Sequence, residues 1–195
     1  MRANVLFIGR ISPVKNLEGL LQAFDQAALE NARLILIGPM LEAGYADRLE
    51  RLVNDLNLSD RVSLVGPLYD QDKLSALAAA DLFVLPSLSE SFGNAAAEAA
   101  AAGVPVLLTQ GCGVAPLIHG RAGLAVEHDP AALAQGLRLM LNNAGARARL
   151  TAQRADVVAE LSWEEPLHQT EQLYAQITRS YPNSRGCATE EGELS

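Results

Sequence analysis

The chain has 195 residues, 49% of them hydrophobic and 19% charged, with a formal net charge of −8. Its length suits one large domain or two small ones, and a core that buries roughly 70% of the surface exposed by the unfolded chain. Two cysteines exclude a disulfide scaffold and a cysteine-based zinc site, and 15 Lys+Arg against 23 Asp+Glu exclude the basic footprint of a general nucleic-acid binder. In chain order, Val5–Ile8 is a short apolar run closed by Gly9. Leu17 to Leu29 has helical spacing, with Asn16 placed as its N-cap. Leu34–Ile37 is a second run, closed by Gly38-Pro39, and Tyr45 to Leu56 a second helix with Leu49, Leu52, Val53 and Leu56 on one face. Val62–Val65 is followed by Gly66-Pro67, Leu74 to Ala80 reads as a short helix, and Leu82–Leu85 is closed by Pro86. Ala95 to Ala102 is an alanine-rich helix ended by Gly103. Val104–Leu108 and Leu124–Val126 complete about six runs. Three helices are expected to follow, over 129–143, 146–160 and 163–180.

Continuous apolar strands alternating with helices predict an α/β fold: a doubly wound, Rossmann-like parallel sheet covered on both faces. Its crossovers are right-handed, and its ligand site lies beyond the carboxyl ends of the strands. The expected domain is 1–181; residues 182–195 lack periodicity and read as an acidic, disordered tail. No apolar run reaches the roughly 18 residues of a membrane-spanning helix. Met1 leads straight into the first strand with no signal peptide in view, so a cytoplasmic chain is expected.

The residues after each strand therefore carry the functional argument. Lys15 stands just before a helix N-terminus, where the dipole favours anions. That placement makes sense if Arg10, Lys15 and the helix amides share a bound anion; solvated loop charges are the alternative. After the fourth strand comes Ser87-Leu88-Ser89-Glu90-Ser91-Phe92-Gly93-Asn94-Ala95, leading into the alanine helix. Glu90 in the preceding loop suits the dipole as an ordinary cap. Glu98 sits among alanines with no polar stripe to belong to; it is either a chance solvated position or a functional carboxylate in tight surroundings. Gly93 permits close backbone approach, and the amides of Gly93 to Ala95 form an anion cradle. Two cations, a helix N-terminus and two carboxylates make a candidate nucleotide-diphosphate site, since carboxylates gripping ribose hydroxyls are a known device of doubly wound folds.

The loop Gly9-Arg10 to Lys15, the segments Leu34–Pro39 and Arg61–Gly66, and above all Glu90 and Glu98 in an E-x7-E arrangement resemble the donor-binding half of retaining glycosyltransferases of group 1, family GT4. The resemblance runs from residue 4 to about 160. It implies the C-terminal half of a GT-B fold, a nucleotide sugar as substrate and transfer without a metal or other cofactor. It further implies that Arg10 and Lys15 bind the diphosphate and neutralise leaving-group charge, that Glu90 contacts the transferred sugar and that Glu98 holds the ribose. Phe92, Gly93, Asn94 and Ala95 would supply contacts to sugar and phosphate, and Leu68 would wall the base. Ser91 replaces the usual glycine before Phe92, and the usual EAMA helix reads Glu98-Ala99-Ala100-Ala101-Ala102. The larger departure is the N-terminal, acceptor-binding half, which this chain does not match. None of His119, His128 or His168 stands where that half would supply a histidine. The chain is thus expected to need a separate or missing N-terminal half as partner, through which it could also contact a membrane surface. Alternatives are a catalytically silent nucleotide-binding module of the same fold and another GT-B enzyme such as a sugar-nucleotide 2-epimerase. A signalling or dinucleotide-binding domain fits less well still, because no G-x-G-x-x-G follows the first strand.

Other features read as structural. Asp70-Gln71-Asp72 matches a D-x-D metal motif, but its place before a helix points to N-capping and dipole complementarity. His119 and His128 have no third ligand nearby. Cys112, between Gly111 and Gly113, suits a small residue in a tight loop that in the family lies near the donor. Cys187 falls in the tail and reads as inert. Trp163 reads as packing, and in the family the corresponding helix reaches back to the N-terminal half.

Overall fold

The computed structural model describes residues 2–42, 44–162 and 164–180. It falls into two compact units, Met1–Glu160 and Leu161–Ser195. The first holds a six-stranded sheet in the order β3-β2-β1-β4-β5-β6. The strands are β1 (Ala3–Ile8), β2 (Ala32–Ile37), β3 (Val62–Gly66), β4 (Leu82–Leu85), β5 (Val106–Thr109) and β6 (Gly123–Val126). Every pairing is parallel. β1 lies centrally: Leu6 faces Ile35 of β2 on one side and Phe83 of β4 on the other. The chain first builds outward from β1 to β3, then crosses back to β4 and builds the other way. Strand order thus reverses between β1 and β4, which opens a crevice beyond their carboxyl ends.

The connecting helices are α1 (Leu17–Gln26), α2 (Tyr45–Asp55), α3 (Asp70–Ala78), α4 (Asn94–Ala101) and α5 (Ala115–Ile118), followed by α6 (Pro130–Asn142), α7 (Ala144–Leu150) and α8 (Arg154–Glu160). α1 packs on α2 and α6, while α4 and α5 pack on α8. The non-alternating runs are buried as a sheet covered on both faces requires: Leu82–Leu85 and Val106–Leu108 are all at most 1% exposed. The second unit contains α9 (Glu164–Ser180). No described helix is long and apolar enough to cross a membrane.

Several boundaries differ from the periodicity. α1 stops at Gln26, and Ala28 turns into left-handed geometry (φ 51°) before β2. α3 begins at Asp70, four residues before the expected start, so Asp70 and Asp72 lie in its first turn rather than ahead of it. No side chain caps that helix, so of the two structural roles expected for the aspartates only complementarity to the dipole applies. The helix expected over 146–160 is two, because the Gln153 N–H leaves the helical ladder for the Arg121 carbonyl (3.1 Å) and Arg154 reaches the Gly103 carbonyl (3.0 Å). The short α5 and a 3-10 turn at Pro13–Lys15 leave too few residues to show a period. Trp163, Cys187 and the expected tail at 182–195 lie outside the described residues.

Candidate functional site

The crevice is built by four loops tied together through their backbones. Pro13 opens the 3-10 turn that ends at Lys15, and Asn16 closes it in left-handed geometry (φ 53°). Asn16 occupies the N-cap position of α1, but its side chain caps nothing. Its amide instead donates to the His128 carbonyl (3.0 Å), because the αL backbone turns it away from the free N–H groups. The Ile11 N–H donates to the Pro39 carbonyl (2.9 Å) and the Leu88 N–H to the Val14 carbonyl (2.9 Å). The loop after β4 is laced to the loop after β5: Glu90 N–H to Gly111 O (3.0 Å), Gly113 N–H to Glu90 O (2.9 Å) and Val114 N–H to Phe92 O (2.8 Å). The glycines flanking Cys112 make this approach feasible, since a Cβ on Gly113 would stand 2.1 Å from the Ser91 carbonyl oxygen. Gly93, at φ 105°, then turns the chain into α4. The Ala96 and Ala97 amides bond back to the Gly93 carbonyl (2.9 and 3.2 Å), and the amides of Asn94 and Ala95 precede the first intrahelical bond.

Within this frame Lys15 Nζ pairs with a carboxylate oxygen of Glu90, joining residues 75 apart in sequence across the switch point. Both side chains are largely shielded, at 12% and 22% exposure. The conflict at Lys15 between cation and helix N-terminus is thus answered within the chain by Glu90. Glu98 is half exposed on α4, not in tight surroundings, and pairs with Lys73 of α3. Arg10 is exposed, and its guanidinium has no hydrogen bond or ion pair among the described residues. Leu68 is partly buried in the loop between β3 and α3, Phe92 is exposed beside Glu90, Gly93 is buried, Asn94 is exposed and Ala95 partly so. The structure thus brings Lys15 to Glu90 and ties the Glu90–Phe92 loop to the loop after β5; Arg10 lies in the loop after β1, Asn94 and Ala95 open α4, and Glu98 lies further along that helix.

Cys112 fills the base of the β5 loop at 2% exposure. Its thiol lies against Thr109 Oγ1 (3.6 Å) and the Leu85 carbonyl (3.9 Å). Burial pushes this thiol's pKa up, reinforced by the nearby Glu90 charge and opposed by Thr109. His119 accepts the Ala125 N–H at Nδ1 (3.1 Å), a structural role. Sequence reasoning missed three polar groups here. Lys73 carried no motif. The hydroxyls of Ser12 and Ser87 are buried in the loops that follow β1 and β4, with no hydrogen-bond partner among the described residues. As loop serines they carry no spacing or motif that distinguishes them in the sequence. A cavity of about 420 Å³ bordered by Ala3, Ala32, Leu29 and Leu141 lies at the opposite, amino end of β1 and β2 and contains none of these groups.

A family model for glycosyl transferases group 1 matches residues 1–156. The chain belongs to the group 1 glycosyltransferase family. A D-inositol 3-phosphate glycosyltransferase from Xylanimonas cellulosilytica is 35% identical over 182 residues, which are 91% of this chain and 43% of that protein. Sucrose-phosphate synthase from Thermosynechococcus elongatus superposes with a TM-score of 0.79 at 32% identity, over 92% of this chain and 46% of that one. HepE from Anabaena, in a crystal structure with UDP and glucose, superposes with a TM-score of 0.77 at 25% identity, over 92% of this chain and 48% of that one. The sheet and its flanking helices are those of a GT-B glycosyltransferase half. The group 1 chain described here spans less than half the length of these relatives.

Proposed function

We propose that this domain binds the nucleotide-diphosphate sugar of a retaining glycosyltransferase and acts with an N-terminal, acceptor-binding half. The observation that carries this reading is the meeting of Lys15 and Glu90 across the switch point, beside exposed Arg10 and the open N-terminus of α4. In it, Arg10, Lys15 and the α4 amides hold the diphosphate. As the bond between the sugar's anomeric carbon and the diphosphate oxygen breaks, these donors stabilise the charge that develops on the leaving group. Lys15 exchanges part of its contact with Glu90 for the phosphate, and the carboxylate so released accepts from sugar hydroxyls. Glu98 accepts from the ribose hydroxyls, Leu68 walls the base, and Phe92 lines the sugar side. No metal is required, because cationic side chains and a helix terminus meet the phosphate charge. The UDP and glucose bound to the HepE relative support this ligand class.

UDP, GDP or ADP should raise the melting temperature of the chain, by about 2.7 kcal/mol of added stability at 100 times Kd. Lys15→Ala should abolish most of the gain. The absence of a shift with all three nucleotides overturns the donor-site reading. Joining the domain to the N-terminal half of a relative separates a transferase from a silent nucleotide-binding module: transfer or donor hydrolysis supports the former, and nucleotide binding without either supports the latter.

A further inference from the structure

Both carboxylates of the E-x7-E pair are held by a lysine from another element: Glu90 by Lys15 and Glu98 by Lys73. The first pair belongs to the crevice already described, whereas nothing about Lys73 follows from it. Glu98 projects from a helix of sequence Asn-Ala-Ala-Ala-Glu-Ala-Ala-Ala, in which Asn94, one turn earlier, is the other polar side chain; among the described residues the carboxylate's bonded partner is Lys73 rather than Asn94. Its carboxylate is 46% exposed, and the ion partner that restrains it comes from the first turn of α3. α3 starts two residues after Leu68, so the segment 68–73 includes both the residue placed at the base and the one that holds the carboxylate.

We propose that Lys73 is a positioning residue for ribose recognition, orienting the Glu98 carboxylate toward the paired hydroxyls of a nucleoside diphosphate. The inference rests on the donor-site reading. Lys73 engages one carboxylate oxygen, Oε2. An ionised carboxylate has about four lone-pair sites, so two ribose hydroxyls can still donate to it while the ammonium remains in place. Restraining the acceptor beforehand removes torsional freedom that binding would otherwise have to freeze. Because Lys73 acts through Glu98, its influence is confined to ligands that carry ribose hydroxyls.

Isothermal titration of UDP, GDP and ADP, of their 2′,3′-dideoxy forms and of inorganic pyrophosphate tests this on the unaltered chain, Lys73→Met, Lys73→Arg and Glu98→Gln. Lys73→Met should weaken the ribonucleotide about two- to fivefold, the range of a partly exposed ion pair. It should leave the dideoxy form and pyrophosphate unchanged, Lys73→Arg should recover the loss, and in a Glu98→Gln background Lys73→Met should add nothing. Equal weakening of all three ligand types, a loss that persists without the Glu98 charge, or no loss at all overturns the positioning role while leaving the donor site intact. If the unaltered chain binds none of the nucleotides, the donor-site reading itself fails, and this role with it.

Discussion

At Gly113 a single missing methyl group decides where the Glu90 backbone stands. The Gly113 N–H bonds to the Glu90 carbonyl, and the Cβ of any other residue would meet the Ser91 carbonyl oxygen at 2.1 Å and its carbon at 3.0 Å. Those atoms are backbone, so relief requires the two loops to part. Gly113→Ala should therefore destabilise the fold by about 1–3 kcal/mol, the usual cost of overpacking, read as a lower urea midpoint at an unchanged slope. On the proposed donor-site reading it should also weaken nucleotide binding, because the lacing that seats the Glu90 backbone loosens. Glu90 and Glu98 are singled out as candidates by the E-x7-E spacing, and Arg10 and Lys15 by their places after the first strand. The ion pairs were not legible, since Lys15 and Glu90 lie 75 residues apart and Lys73 sits on a different helix from Glu98. Spacing within one segment carries no information on which side chains two segments bring together.

Helix ends show the same limit in reverse. Asp129 and Asn16 occupy the N-cap positions of α6 and α1, although the sequence spacing marks only Asn16 as a cap and counts Asp129 inside its helix. Only Asp129 is in extended geometry (φ −83°, ψ 151°), and there its Oδ1 accepts from the amides of both Ala131 and Ala132 at 3.0 Å. Asn16 is left-handed, because it also ends the 3-10 turn that delivers Lys15 to the crevice. Its cap role yields to that turn. Asp129→Ala should cost about 1 kcal/mol through the lost cap. Asn16→Gly should instead be close to neutral, since glycine accepts the left-handed backbone and only the bond to His128 is lost. Chemical denaturation of both variants distinguishes the two kinds of helix start. The six strands and their doubly wound order were legible because buried parallel strands are apolar without alternation. The division between α7 and α8 was not, because the atoms that impose it, the carbonyls of Arg121 and Gly103, arrive from remote parts of the chain.

At the scale of the whole molecule, α8 closes the first unit, and its end is fastened by charge. Arg121 grips Glu160 with two prongs, Nη1 to Oε2 at 3.1 Å and Nη2 to Oε1 at 2.5 Å. The hydrogen bonds from Arg121, followed by its charge, hold the Glu160 carboxyl below the usual glutamate range, and the same pairing raises Arg121. A carboxyl whose folded pKa is depressed binds its proton more readily in the unfolded chain. The stabilisation is therefore fully present above the unfolded glutamate value, about 4.5, and is lost as pH falls through the lower folded value. Both groups face solvent, so salt screens the pair as well. Glu160→Gln should melt below the unaltered chain at pH 7 and low ionic strength. The gap should narrow as pH drops below about 4.5 and should shrink at 1 M salt, where the Debye length is only about 3 Å. A gap independent of both pH and salt would mean that Glu160 acts through packing rather than through its charge, with α8 held by the buried Val157 and by Arg154 on the Gly103 carbonyl.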